Sequence, residues 1–554
     1  MRWAACLFVL FLAAAADAAP ARPLDELAIG ITQYPATLNP VIDSMAAKSY
    51  VLGFVRRPLT TFDAQWQLVC MLCVEPPSFE NGLAQKLDLP GGKTGVRLTY
   101  TLRPDARWAD GAPVTTADVI FSYRVGKDPK TGVAAAELYR RITSIQAKDD
   151  KTFTMDVDKL TFDYAAANDF EILPAAAEEA AFADSASYRI RTRYDVDPTD
   201  PRLYDGPYRI AEVAPGSYIV LERNPYWAGP QPYFRRVTVW AVENTAALEA
   251  NLLAHGIDMV AGELGFSLDE ALAFEHRHGR DFHVVYKPGL TYEHVDLDLD
   301  NPILADRRVR QALLYAVDRK AISDELFAGR DPVADSFVPP LDWIYTDEVQ
   351  RYPYDPGKAR TLLEAAGWHA DGTAPRRNDK GERLSLELAT TAGNRTRELV
   401  EEVLQSQWRE VGIEARLKNQ PARVLFGQTV THRQFDMAMF AWISAPENVP
   451  RSTMRSDEIP SAANGWSGEN YPGLRSEAAD TLIDAIEVEL DRGRRAELWH
   501  RLERLYADEL PALPLYFRAE AYVLPPWLEG VTPTGHQYPS TLWAETWRRA
   551  APSQ

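Results

Sequence analysis

Only a few residues in this chain have the type and spacing to do chemistry. Cys70-Met71-Leu72-Cys73 is a C-x-x-C pair, and His276 and His278 stand two apart beside Glu275. Gly465-Trp466-Ser467-Gly468-Glu469 approaches the elbow that presents a nucleophilic serine, but that turn needs glycine where Glu469 stands. Two histidines two apart on a helix do not share a face, so they read as surface residues before metal ligands. Zinc on the cysteine pair would need two further ligands, and no other cysteine of the exported chain supplies one. HExxH, the phosphate-binding G-x-x-x-x-G-K-[ST] loop and the EF-hand loop are absent from the sequence. Among 79 acidic residues a facing carboxylate pair is neither indicated nor excluded. The residues therefore favour a protein that is not an enzyme and needs no cofactor or metal. A secreted hydrolase of peptides or glycans is the alternative.

Bulk properties narrow the classes further. The chain has 554 residues, 46% hydrophobic and 25% charged, enough for several domains of ordinary globular composition. A net charge of −19 disfavours nucleic acid and anionic membrane surfaces as partners. Arg2, the apolar run 3–16 and Ala16-Asp17-Ala18 read as a secretory signal with its cleavage site. The run falls short of the roughly 20 residues that span a bilayer. Residues 1–18 are thus expected to be removed, leaving a protein outside the cytoplasm. In that oxidising compartment Cys70 and Cys73 read as a structural disulfide, with free thiols or a functional pair as the alternatives.

The elements that would position a site can be read in order. Leu98, Tyr100 and Leu102 alternate with Thr99, Thr101 and Arg103 as a strand. Pro104 ends it, Asp110-Gly111 turns, and Thr115-x-x-Asp118 opens a helix as a capping box with Asp for the usual Glu. Trp108, Asp110 and Gly111 read as turn and packing residues. Residues 43–200 look like a semi-independent insert, closed by the Asp/Pro-rich run 195–201. A hairpin turns at Pro215-Gly216. Residues 284–300 carry a half-buried strand with Val295, Leu297 and Leu299 against Asp296, Asp298 and Asp300. Asp306 caps the next helix. Strand 384–390, helix 397–411 and strand 413–418 make a β-α-β unit with parallel pairing.

Several stretches together resemble the family 5 extracellular solute-binding proteins, the peptide-binding receptors of bacterial ABC importers. They are the Trp108, Asp110-Gly111, Thr115–Asp118 corner; Asp205-Gly206-Pro207-Tyr208; Asn224-Pro225-Tyr226-Trp227; Ile257-Asp258-Met259; Arg310-Gln311-Ala312 with Ala316-Val317-Asp318-Arg319; Asp355-Pro356-Gly357-Lys358-Ala359-Arg360; and Ala366-Gly367-Trp368. The resemblance runs from about residue 24 to 547. It implies an α/β, two-lobed fold of the periplasmic-binding-protein type (class II) with an extra domain and a ligand cleft between hinged lobes. Lobe I would be 19–50, 201–283 and 506–554, the extra domain 51–200, and lobe II 284–505. The implied function is capture of a peptide or peptide-like small solute and its delivery to transmembrane permease subunits, by a monomer in the periplasm. A non-transport receptor on the same fold is the third reading. Arg310 and Arg319 are expected to tie their helices to the lobe.

For ligand contact the first candidates are Trp442, Ile443, Ser444 and Ala445, at the carboxyl end of strand 434–442. Next are Asn394 and Arg395 in the strand-to-helix loop, where open α/β sheets bind ligands. Trp466, Ser467 and Asn470 follow, in an aromatic and polar loop. Tyr34, with Asn39, lies in the loop that the resemblance puts at the cleft. The family's peptide receptors carry W-x-x-D, whose aspartate pairs with the peptide's α-ammonium. This chain has Trp442-Ile443-Ser444-Ala445, so the acid is missing and Glu447 or Asp436 would have to replace it.

Overall fold

The computed structural model describes residues 22–551 except 44, 243, 372, 373, 422, 423, 465 and 467. The expected signal segment therefore lies outside the described residues. Ten strands form one mixed sheet: β1 (Glu26–Ile31), β2 (Tyr208–Ala214), β3 (Tyr218–Arg223), β4 (Arg236–Ala241), β5 (Met259–Val260), β6 (His283–Leu297), β7 (Ser385–Thr391), β8 (Glu414–Gln420), β9 (Met437–Ile443) and β10 (Ala512–Leu524). Their spatial order is β8-β7-β9-β6-β10-β5-β1-β4-β3-β2. The strands left of β6 come from one half of the chain's fold and those right of β10 from the other.

β6 and β10 link the two halves. They are long, 15 and 13 residues, and run antiparallel against each other. Their register shifts between Pro288 and Thr291, and again between Glu293 and His294. The first shift has a local cause: Pro288 has no N–H to give the ladder. Gly289 beside it must be glycine, because a Cβ there would lie 2.8 Å from the Gly535 carbonyl oxygen. An irregular patch in two otherwise continuous strands is where two lobes can turn on each other.

The expected β-α-β unit forms. β7 pairs in parallel with β8, Ser385 opposite Glu414, and the helix Arg395–Glu410 crosses between them. The Pro215-Gly216 hairpin also forms, with Gly216 at φ +73°. Arg310 and Arg319 are buried, not solvated: Arg310 donates to the Glu509 carbonyl (Nη2–O 2.6 Å), and Arg319 donates to that of Pro514 (3.1 Å).

A separate four-stranded antiparallel sheet holds Ala84–Leu89, Lys93–Thr101, Thr152–Val157 and Ile142–Ala147, in that spatial order. Its corner is built as the sequence predicts. Asp118 Oδ2 accepts from the Thr115 N–H (2.9 Å) and more weakly from Trp108 Nε1 (3.4 Å), and Oδ1 accepts from the Ala175 N–H (2.9 Å). Trp108 is buried and packs, and Gly111 turns at φ +93°. The unit is independent in its sheet but not in its core. Its Leu98, Tyr100 and Phe153 belong to one apolar cluster with Leu27 and Ile29 of β1. Cys70 and Cys73 are joined, with their Cα atoms 5.1 Å apart.

Candidate functional site

A cavity of ≈ 1540 Å³ opens between the four-stranded unit and the second half of the fold. That exceeds the roughly 300–1,000 Å³ of most small-molecule pockets. On one side stand Lys159, Phe162 and Asp169, with Trp66 and Tyr538 from neighbouring loops; on the other stand Ala445, Glu447 and Arg495. The two walls already touch. Lys159 pairs with Glu487, the Phe162 N–H donates to the Glu487 carbonyl (2.9 Å), and the Arg495 guanidinium lies 4.5 Å from the Phe162 ring centre.

A second cavity of ≈ 280 Å³ branches behind the second wall, sharing Ala445 and Asn448 with the first. Tyr292, His294 and Asp296 line it from one face of β6, as residues two apart on a strand must. The opposite face sends Val295 and Leu297 into the apolar core. The Tyr292 and His294 rings stack at 4.9 Å, and Tyr292 and Tyr506 share a hydroxyl–hydroxyl bond of 2.9 Å. His294 Nε2 stands 3.3 Å from Asp296 Oδ1, while Asp296 Oδ2 has no hydrogen-bond partner among the described residues.

Of the sequence candidates, Trp442, Ile443, Ser444 and Ala445 all line the side cavity. Trp442 stacks on Tyr471 at 5.9 Å and meets Phe440 edge-on at 5.4 Å. Ile443 is 69% exposed at the end of β9. The other candidates among the described residues line neither cavity. Asn394 is spent as a helix cap, its side chain accepting from the Arg397 N–H (3.1 Å), and Arg395 points to solvent. Asn470 is fully buried and satisfied: Oδ1 accepts from Gly473 and Leu474, and Nδ2 donates to the Arg455 and Leu474 carbonyls. Asn39 is likewise buried, donating to Thr192 Oγ1 (2.9 Å). Trp466 packs against His432, and Tyr34 is half-buried on the first-half core, where burial raises its hydroxyl's pKa. Ser467 lies outside the described residues.

The two acids considered as replacements at the missing aspartate are both committed. Glu447 pairs through Oε1 with Arg495 and accepts from Trp343 Nε1 through Oε2 (3.1 Å). Burial pushes its carboxyl up, against the pull of Arg495. Asp436 sits at the far end of β9 and accepts from Asn301 Nδ2 and the Glu387 N–H, both at 2.8 Å. Sequence reasoning missed Tyr292, His294 and Asp296 as cavity residues. The alternation of β6 was the available signal, but its polar face reads as solvent-facing until a neighbouring segment covers it.

Two halves joined by two long strands, with a cleft between them and two shifts in the linking strands' register, define a two-lobed binding protein. A sequence profile of the "Bacterial extracellular solute-binding proteins, family 5 Middle" matches residues 81–457, and the chain belongs to that family. It is 24% identical over 519 residues to the oligopeptide-binding protein AppA of Bacillus subtilis, covering 91% of this chain and 88% of the relative. Among solved structures it resembles an oligopeptide-binding protein from Thermus thermophilus complexed with a pentapeptide, at 27% identity and TM-score 0.71, covering 94% and 96% of the two chains. NikA from Brucella suis in complex with Fe(III)-EDTA shares the fold at TM-score 0.78 and 20% identity, covering 95% and 99%. Among the described residues no helix is long and apolar enough to cross a membrane.

Proposed function

We propose that this chain is the extracytoplasmic receptor of an ABC import system, which takes a peptide-like solute into the cleft and presents it to the permease. It does so as a monomer, by binding without turnover, after export and loss of residues 1–18. The observation that carries this reading is the ≈ 1540 Å³ cavity lined from both halves, at the free end of β9. A solute enclosed there touches both walls, so binding favours the closed arrangement, and closure is what a membrane partner can read.

Ala445 shapes the choice of solute. At the family's ammonium-binding position it offers no charge, and Glu447 and Asp436 are held by Arg495, Trp343 and Asn301. A buried ammonium left without a partner costs on the order of 3–5 kcal/mol, two to three orders of magnitude in affinity. Simple free-amino di- and tripeptides should therefore bind weakly, and N-blocked or modified peptides better. Calorimetry on ligand-stripped protein with free and N-acetylated forms of the same peptides tests this. Submicromolar binding of the free forms, lost on acetylation, would overturn it. Small-angle scattering tests the receptor reading itself: the radius should shrink on saturation, and an unchanged curve counts against closure.

A further inference from the structure

We propose that the side cavity behind Ala445 is a subsite for a basic side chain of the bound solute, its ammonium or guanidinium group held by Asp296. The proposal rests on the reading of the cleft as a site for peptide-like solutes and adds to it which residue such a solute carries.

Three observations support it. First, Asp296 is 3% exposed, lines the cavity, and has one carboxyl oxygen without any donor. Buried carboxyl oxygens nearly always have partners, so one that lacks a partner on a residue lining a cavity is set for a donor from outside the chain. Second, the charge around it has one sign. Asp342 and Glu469 also line the cavity, and among the described residues no lysine or arginine does, so His294 is the one basic side chain there beside an incoming cation. The main cleft differs, with Lys159, Arg451, Arg492 and Arg495 in its walls. Third, apolar side chains make up much of the remaining lining, Phe337, Val338, Ile344, Met454 and Trp499, with Ser444, Asn448, Ser452 and Thr453 among them. A largely apolar passage with an acid inside it matches a methylene stem that ends in a charge, which is the shape of lysine and arginine. A neutral apolar side chain would fill the same passage but leave Asp296 unpaired and stripped of water.

His294 is the one titratable base on this face. Its Nε2 lies 3.3 Å from Asp296 Oδ1, so it addresses the other oxygen and leaves Oδ2 unpaired among the described residues.

The experiment uses the whole ligand-stripped protein and N-acetylated tripeptides, so that the α-ammonium plays no part. At each position in turn, alanine is replaced by lysine or norleucine, and by arginine or citrulline. At one position the charged member should bind about ten- to a hundredfold tighter than its neutral isostere, the range a charged hydrogen bond supplies. In Asp296→Asn that ratio should fall towards one, and in Asp296→Glu it should partly survive. The wild-type comparison stands even if a variant folds poorly. Equal binding of charged and neutral peptides at every position overturns the subsite and leaves the peptide reading intact, as does a preference that persists in Asp296→Asn. Absence of binding by every peptide overturns the peptide reading and this proposal with it.

Discussion

The rim of the cleft and the cavity behind it both shield carboxylates from water, and they treat them differently. At the rim, Glu447 is gripped by Arg495 and Trp343, and Arg495 itself lies over the Trp343 ring at 5.3 Å. In the cavity, Asp296 has His294 beside one oxygen and, among the described residues, no partner for the other. A carboxylate whose charge is already matched holds the wall together and has little left for a ligand. One that is buried and unmatched costs stability in the empty protein, about 1–3 kcal/mol, and recovers it only when a donor arrives. Shielding from water alone does not mark a binding acid, since Glu447 is half-buried and Asp296 buried; the partner count separates them.

The largest expected effect is on the rim. Arg495→Ala leaves Glu447 shielded from water without its cation and should destabilise the protein by about 3–5 kcal/mol. Asp296→Asn removes an unmatched charge and should leave the ligand-free stability unchanged or slightly raised. Urea denaturation of both variants measures the contrast. An Arg495→Ala variant as stable as the parent would mean that the Glu447 pair is not what holds the rim.

A third carboxylate sharpens the comparison through pH. Glu503 is fully buried, accepts from Ser336 Oγ through one oxygen (2.7 Å), and among the described residues has no partner for the other. Burial pushes it up to about 8 from an ordinary 4.5. Between those values the unfolded chain has lost this proton while the folded chain still holds it, so stability falls as pH rises through the window. Glu503→Gln should flatten the fall, by on the order of a few kcal/mol across the window. Denaturation midpoints at pH 5 and pH 8 read it, and an unaltered pH slope in the variant would be the contrary result.

The next effect concerns Trp442, which lies between the two regions. It stacks on Tyr471 and lines the side cavity at the end of β9. A central aromatic contact truncated to alanine typically costs about 2 kcal/mol or more, so Trp442→Ala should weaken peptide binding by about thirtyfold. Calorimetry decides, and a change under threefold would place the ligand elsewhere in the cleft.

The sequence carried the backbone of this result well. The Asp118 capping corner, the crossover helix and the buried stripes each leave a local signature in period or cap. The site was harder. Asn394 and Asn470 have the same residue type whether they cap the chain or touch a ligand, and only their hydrogen bonds tell the two apart. Asp296 failed in the other direction. Its alternation with Val295 and Leu297 says that it faces away from the core. Whether that face meets water or a cavity depends on segments far along the chain, those of Phe337, Ser444 and Met454. Long-range covering of this kind has no local pattern.

The smallest expected effect tests whether the contact between the walls belongs to the closed state. Phe162 reaches from the four-stranded unit into the apolar cluster that holds Trp499 and Tyr506, and Arg495 lies over its ring. These contacts join the two walls and exist only while the walls are together. Removing them should therefore leave each half intact and shift the balance between open and closed forms. A cation–π contact at a partly exposed site is worth about 0.5–1 kcal/mol. A ligand that binds the closed form sees its apparent affinity fall by the fraction of closed form lost. Phe162→Ala should thus weaken binding by about two- to fivefold for every solute, lysine and norleucine peptides alike, and enlarge the scattering radius of the ligand-free protein. Asp296→Asn should do the reverse on both counts, altering the lysine-to-norleucine ratio and not the radius. If Phe162→Ala changed the ratio, the rim and the cavity would be one site, and the distinction drawn from Glu447 and Asp296 would fall.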